Sequence, residues 1–596
     1  MSIGFAATTL KVHKIVGLLP FPFRKSGFPA AARRQAREAL RFQFQLVDSS
    51  LLLAITDQII TVDFSRSLAR HRNAHITSSA PSHSSSAEIL PKMGDFLQQA
   101  YTRIRQSATA SEQESPPTLP STRELAIARA ALEDTLAAFS NHPETRRGSE
   151  ATLDHLLNQI VPALNGQNRS SRYWGFVTGS TLPIAEAADN IVSAYDQNVQ
   201  VHLPDQTIAT EVEDIALKML LRLLQLGEPC QWGGRTFTTG ATASNILGLA
   251  CGRESVLMNR LPEGSESVGE LGLLKACAEA GVEEIQVLTS MGHSSLSKAA
   301  SVVGLGRSSV KALPYSDEQP WRLDIDAVER ELQRKNVASI IAISAGEVNT
   351  GRFAVESNAD MSRLRNLADR FKAWIHVDGA FGIFVRCLPK SQEFSTLESL
   401  THGLELADSI TMDGHKLLNV PYDNGVFVTR TSTLLASVFQ NPNAAYLSGG
   451  ASHIPSPLNI GLENSRRFRA LPVYAALMSE GIGGYSEIMA RMVRLARRIA
   501  HIVSESDDYI LLPDGVGYME TTHICVLFRA KDDHLNETLV KTINDTRMWY
   551  VSGTKWKGQS ACRVAIGNWK VNIDEDAALV KHSLADIADK YRKGSM

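Results

Sequence analysis

ADSITMDGHKLLNVPYDNG, residues 407–425, begins as a short apolar run (407–413), turns at Gly414, and carries His415 and Lys416 into a loop of Asn, Pro and Gly. An apolar run of about four to eight residues bounded by turn residues reads as a buried strand. The pattern repeats on both sides: GVFVTR (425–430) follows, and AWIHVD (373–378), ASIIAIS (338–344) and IQVLTS (285–290) precede. Helical periods stand around and between these runs, as in EVEDIALKMLLRLLQL (211–226) and SNADMSRLRNLADRFK (357–372). Strands alternating with helices predict an α/β large domain with a mainly parallel sheet over 171–440. After residue 470 the texture changes. A long helical stretch containing Gly481, Gly483 and Gly484 predicts two helices with a break. ICVLFRA (524–530), MWYVSG (548–553) and ACRVAIGNW (561–569) then predict a smaller α+β domain with an antiparallel sheet over 470–596.

Composition narrows the function classes. The 596 residues carry Lys+Arg 61 against Asp+Glu 63, a net charge of −2, which argues against a dedicated nucleic-acid binder. No uncharged apolar run approaches the roughly 18 residues of a membrane span. The six cysteines form no CxxC pair and no HExxH is present, so neither a disulfide framework nor a zinc site of standard spacing is expected, and a reducing, cytoplasmic setting is favoured. Residues 1–92 differ from the rest. Before Asp48 the only acid is Glu38, against eight Lys and Arg. This segment reads as a largely disordered N-terminal extension; a mitochondrial transit peptide is the alternative. SSAPSHSSSAEILPKM (78–93) reads as a flexible linker, 93–170 as a helical segment, and Ser121 or Thr122 as the cap of a helix from about 122.

Four places carry chemistry. In TFTTGATASNILGLACGRE (236–254) a strand runs through Gly240 into a helix with small hydroxyl residues, an arrangement that offers backbone N–H groups to a phosphate; plain helix capping explains the same residues. In MGHSSLSKA (291–299), His293 falls just beyond a strand, where ligands gather in open α/β sheets, or is a polar loop residue. Asp378 closes the buried strand of AWIHVDGAFG (373–382) and calls for a cationic partner, functional or structural. Lys416, set among apolar neighbours, would be desolvated and nucleophilic; the plain alternative is a surface lysine. Together the four ask for a ligand with a phosphate, a flat ring, a protonated ring nitrogen and a carbonyl that forms a Schiff base. Pyridoxal 5'-phosphate meets all four requirements.

On these motifs the sequence resembles the group II pyridoxal-phosphate-dependent amino-acid decarboxylases, over most of the chain from about 120 to 590 and most specifically at HVDGAFG and DSITMDGHKLLNVPYDNG. The resemblance implies a fold type I, aminotransferase-like large domain and a homodimer, helped by 93–170, with active sites at the subunit interface. It also implies conversion of a small-molecule L-amino acid to the amine and carbon dioxide. It implies Lys416 as the Schiff-base lysine, Asp378 as the pyridinium partner, His293 as the ring-stacking histidine, Thr242 and Ala243 in the phosphate loop, and Ser409 and His415 at further phosphate-side positions. Phe176 and Thr178 fall in the substrate-side segment RYWGFVTGSTLP (172–183), Asn349 lies near the ring, and Arg563 is a candidate carboxylate ligand. The sequence departs from the pattern in three places. The stretch 452–471, within the active-site loop region 441–469, has no tyrosine where relatives carry a proton donor; that position falls near Pro457, and Tyr446 lies just before. Glu347 replaces a small hydroxyl residue, either to favour a cationic substrate end or to pair with an arginine such as Arg352, and Asp413 stands where many relatives have Asn. Oxidative decarboxylation to an aldehyde, carbon–carbon lyase chemistry and transamination stand as alternatives on the same cofactor.

Overall fold

The computed structural model describes residues 86–109, 116–441, 453–513 and 518–594. Met1–Lys92 and Met93–Met596 form two units. Of the segment 1–92 read as an extension or targeting segment, residues 1–85 lie outside the described residues, as does Tyr446. Helix α1 (Ser86–Thr109) begins inside the stretch expected to be linker, because Ala87, Glu88 and Leu90 are strong helix formers that outweigh the serines before them. Helix α2 (Thr122–Asn141) starts at Ser121 through a capping box: Ser121 Oγ accepts the Glu124 N–H at 3.2 Å, and the Glu124 carboxylate accepts the Ser121 N–H at 2.5 Å.

The large sheet has seven strands: β2 (Gly234–Thr238), β3 (Glu284–Thr289), β4 (Val310–Ala312), β5 (Val337–Ser344), β6 (Trp374–Asp378), β7 (Ser409–Asp413) and β8 (Gly425–Thr429), in the order β2-β8-β7-β6-β5-β3-β4. Strands β7, β6, β5, β3 and β4 run parallel, and β8 runs antiparallel to both β7 and β2. The exception follows from connection length: β7 returns directly as β8 through the lysine loop, whereas parallel neighbours need a crossover helix. One consequence places the site. The carboxyl ends of β3, β5, β6 and β7 all fall on one edge, and His293, Glu347, Asp378 and Lys416 each stand at or just beyond such an end.

Helix α3 (Pro183–Tyr195) and helix α4 (Ala209–Leu223) precede the sheet, and helix α5 (Ala241–Met258) lies across its centre. Gly248 and Gly252 let α5 approach closely: a Cβ on Gly248 would lie 2.3 Å from His376 Cε1, and one on Gly252 2.9 Å from Trp374 Cδ1. Helix α6 (Ser294–Val302) follows β3. Helix α7 (Ala470–Ser504) is two helices meeting at Gly481, whose φ of 59° and ψ of −168° are non-helical, as the glycines predict.

The smaller sheet pairs β9 (Tyr509–Leu512), β10 (Cys525–Ala530), β12 (Gln559–Ala565) and β11 (Tyr550–Trp556) antiparallel, and β1 (Tyr173–Trp174) adds to β11 in parallel. Residues 173–174, grouped by sequence with the large domain, therefore belong to the small sheet. Tyr173 stacks on Tyr550 with ring centroids 4.4 Å apart, and Trp174 meets Trp549 edge-on. All six cysteines are free. Among the described residues no helix is long and apolar enough to cross a membrane, and no cluster of three metal-ligating side chains occurs.

Candidate active site

Lys416 leaves the lysine loop one turn after β7. Its Nζ lies 2.9 Å from Asp413 Oδ2 and 5.8 Å from the centre of the Phe381 ring. The apolar setting expected for this lysine is thus only half the picture: its nearest partner is a carboxylate. Asp413 is buried, and its other oxygen accepts the Ala241 N–H at 2.6 Å, which fastens the start of α5 to the lysine. Helix α5 begins at Gly240, which offers no side-chain cap, so the N–H groups of Thr242 and Ala243 face outward without an intrahelical acceptor. A Cβ on Gly240, where φ is +155°, would come within 3.1 Å of His415 Cε1. His415 stacks on Tyr422 at 4.3 Å, and its Nδ1 accepts the Asn424 N–H at 3.2 Å. Burial holds its imidazole below the ordinary histidine range, with Asp413 opposing and Lys416 reinforcing the effect. His415, Asp413 and Lys416 therefore gather at the start of α5, which Thr242 and Ala243 continue.

Asp378 closes β6 beside it. Its Oδ2 accepts Asn245 Nδ2–H at 2.9 Å, and its Oδ1 accepts the Ala380 N–H at 3.3 Å. His293 caps α6, its Nδ1 accepting the Ser295 N–H at 3.2 Å. Partial burial keeps its imidazole below the usual value; the charges it feels are, in falling order, Asp378, Lys416, Arg563 and Asp413, so these groups lie near it. Ser409 behaves otherwise. It opens β7 rather than closing it, has no exposed surface, accepts Trp374 Nε1–H at 3.0 Å on its hydroxyl oxygen and lies 2.8 Å from His376 Nδ1. The expected phosphate-side position for Ser409 is not met, because a strand of five residues carries it away from the carboxyl edge.

The substrate-side residues are nearby but mostly occupied. Gly179 sits where a Cβ would run into the Lys416 carbonyl at 2.1 Å, so the 172–183 segment abuts the lysine loop. Phe176 is exposed at a φ of 57°, while Thr178 turns its hydroxyl back to the Gly175 carbonyl. Asn349 accepts a hydrogen bond from Thr554 Oγ1 at 2.7 Å. Arg563, 7% exposed, donates from Nη1 to the Val348 carbonyl at 3.0 Å, and its Nε has no partner among the described residues. The Glu347 carboxylate forms no ion pair with Arg352, although the Glu347 N–H donates to the Arg352 carbonyl at 2.7 Å. That carboxylate accepts the N–H groups of Asn349 and Thr350 and the Thr350 hydroxyl, each at 2.9 Å, and burial pushes its pKa above the ordinary carboxylate range. Pro457 is buried in a short turn, and Leu458 N–H donates to the Gln200 carbonyl at 3.0 Å. Beyond it Arg466 pairs with buried Glu213 of α4 at 2.6 Å, Arg467 with Asp189 of α3 at 2.7 Å, and Arg469 with Asp423 of the lysine loop at 3.1 Å. Sequence reasoning missed Asn245, Ser295 and His376. All three lie inside the quoted motifs, and only their contacts distinguish them.

The model of the pyridoxal-dependent decarboxylase conserved domain matches residues 178–531, more than half of the chain. L-2,4-Diaminobutyrate decarboxylase of Acinetobacter baumannii is 25% identical over 374 residues, 61% of this chain and 68% of that protein. Among solved structures, Oryza sativa TDC with PLP and tryptamine superposes with a TM-score of 0.68 at 20% identity, covering 85% of this chain and all (100%) of that one. Rhodiola rosea 4-hydroxyphenylacetaldehyde synthase superposes with a TM-score of 0.66 at 17% identity, covering 85% and 99%.

Proposed function

The chain belongs to the pyridoxal-dependent decarboxylase family, and from that premise we propose that it removes the α-carboxyl group of an L-amino acid as carbon dioxide and releases the amine. Its cofactor is pyridoxal 5'-phosphate, and the residues present fit it. Gly240 keeps open a hollow that a Cβ would fill, with outward N–H groups beside it, and Asp378 keeps acceptor capacity on its Oδ1. Bound through a lysine, this cofactor draws electrons from the substrate's α-carbon and so lets the carboxylate leave.

The observation that carries the reading is the convergence of Lys416, Asp378 and His293 at the carboxyl ends of three parallel strands. Lys416 supplies the amine, held in place by Asp413 at 2.9 Å. Asp378 accepts the ring N–H, and His293 covers the ring. Thr242, Ala243 and His415 hold the phosphate. Arg563, buried and with a free Nε, holds a substrate carboxylate, next to Phe176, Thr178 and Asn349. The enzyme works as a cytoplasmic homodimer. Leu132, Leu136 and Phe139 form an exposed stripe on α2, 56%, 67% and 76% accessible, an apolar surface suited to a second copy.

Incubation of the loaded enzyme with a panel of amino acids in air, followed by mass spectrometry, tests the reaction. An amine without peroxide supports decarboxylation; a keto acid alone contradicts it. A second reading, oxidative decarboxylation to an aldehyde, is favoured by one observation: residues 453–471 contain no tyrosine, and the position counted for it is a buried proline. Aldehyde with peroxide in the same experiment would establish that reading instead.

A further inference from the structure

We infer that Asn245 is the positioning residue that locks Asp378 and His293 into one unit and fixes the proton of His293 on Nε2. The inference rests on the roles proposed above for Asp378 and His293. It concerns a residue that touches neither substrate nor cofactor.

Asn245 lies on α5 with no exposed surface, and each of its polar atoms is used. Its Nδ2 donates to Asp378 Oδ2 at 2.9 Å and to Ser295 Oγ at 3.1 Å, and its Oδ1 accepts from His376 Nε2 at 2.9 Å. The orientation has no alternative. A carboxylate only accepts, so the amide nitrogen must face Asp378 and the carbonyl must face His376. His376 Nε2 then has to donate. His376 is fully buried and pushed down to about 4, so it is neutral near pH 7 and its Nδ1 accepts. The donor is Ser409 Oγ–H at 2.8 Å, whose oxygen takes Trp374 Nε1–H at 3.0 Å; Thr411 Oγ1, 3.4 Å from His376 Nε2, is a distant second neighbour. The buried chain Trp374–Ser409–His376–Asn245–Asp378 therefore has a single direction of donation. It gives Ser409 a role at the far end of β7 from the lysine.

The other arm reaches His293. Ser295 Oγ accepts from Asn245, so its own proton is free for His293 Nδ1 at 2.7 Å, a nitrogen that already accepts the Ser295 N–H at 3.2 Å. With Nδ1 an acceptor twice over, the proton of the neutral ring sits on Nε2. Gly248, one turn along α5, permits the close approach, since a Cβ there would strike the His376 ring. One amide thus orients the carboxylate meant for the ring nitrogen and sets the tautomer of the histidine meant to cover the ring.

The test uses Asn245→Leu, which keeps the volume and removes the hydrogen bonds. Histidine-selective ¹⁵N spectra of the full-length protein, with His293 assigned by its loss in His293→Gln, report the tautomer with and without cofactor. Wild type is expected to show His293 protonated at Nε2. Asn245→Leu is expected to mix the two tautomers and to weaken pyridoxal phosphate binding about 10- to 100-fold, the effect of losing a hydrogen bond to a charged group. If Asn245→Leu does not fold, Ser295→Ala cuts only the histidine arm and should change the His293 tautomer while leaving cofactor affinity within about twofold. An unchanged His293 signal together with unchanged affinity in Asn245→Leu, or an unchanged signal in Ser295→Ala, overturns the proposal. Asp378→Asn separates the two levels. If it leaves affinity unchanged, the assignment of Asp378 falls and this inference with it; if it weakens binding while Asn245→Leu does not, only this inference falls.

Discussion

His376 and His523 are both fully buried, and they meet burial in opposite ways. His376 uses both ring nitrogens, whereas neither nitrogen of His523 has a hydrogen-bond partner among the described residues and its ring stacks on Phe381. Burial pushes them down to about 4 and about 3, from an ordinary value of 6.5. Above pH 6.5 neither the folded nor the unfolded chain holds the extra proton, and stability is flat in these groups. As pH falls below 6.5 the unfolded chain takes up the proton first, so stability is lost, until the folded His376 also protonates near 4. The loss for His376 reaches about 3 kcal/mol. Urea midpoints should therefore fall steadily from pH 7 to pH 5; a flat profile contradicts this account. His523→Phe should raise stability near neutral pH by about 1 kcal/mol, since an orphaned polar group is removed, and should flatten the acid profile; a lowered midpoint at pH 7 would show that His523 has a partner. At this scale Lys416, Asp378 and His293 are legible because each follows a recognisable strand. Asn245 is not: it is one of several polar residues on its helix and carries no pattern, and its partners lie 50, 131 and 133 residues away.

The elements were legible where their runs are long and apolar. Strands β3, β5, β6, β7 and β8 each bury nearly every residue, so apolar-rich runs mark them, broken by Gln286, His376 and Thr411. Strands β1 and β4, of two and three residues, are too short to carry a period and draw their pairing from neighbours. The reversal of β8 was hidden because a buried strand reads the same in either direction. Helix α5 shows what close packing demands. Gly248→Ala would ordinarily strengthen a helix, but here the new Cβ lies 2.3 Å from His376 Cε1. It should cost about 1–3 kcal/mol and release bound cofactor, read by thermal melts and by dialysis. A more stable Gly248→Ala protein that retains its cofactor would contradict the packing of α5 on β6.

Across the whole molecule, the family's cofactor chemistry is joined to an exposed apolar stripe on α2. Under the proposed homodimer, Leu136→Glu with Phe139→Glu should yield a monomer in light-scattering measurements and lower cofactor retention. A variant dimer of unchanged affinity would move the interface elsewhere. The substrate was not legible at any scale, because Thr178 and Glu347 direct their polar groups into their own loops, Asn349 is taken by Thr554 of β11, and 442–452 lies outside the described residues. The central claim is that Lys416 carries the cofactor. Borohydride reduction of the loaded enzyme followed by peptide mapping tests it most directly. The account predicts a pyridoxyl group on the peptide containing Lys416 and none in Lys416→Ala; a label on another lysine, or one that persists in Lys416→Ala, would contradict it.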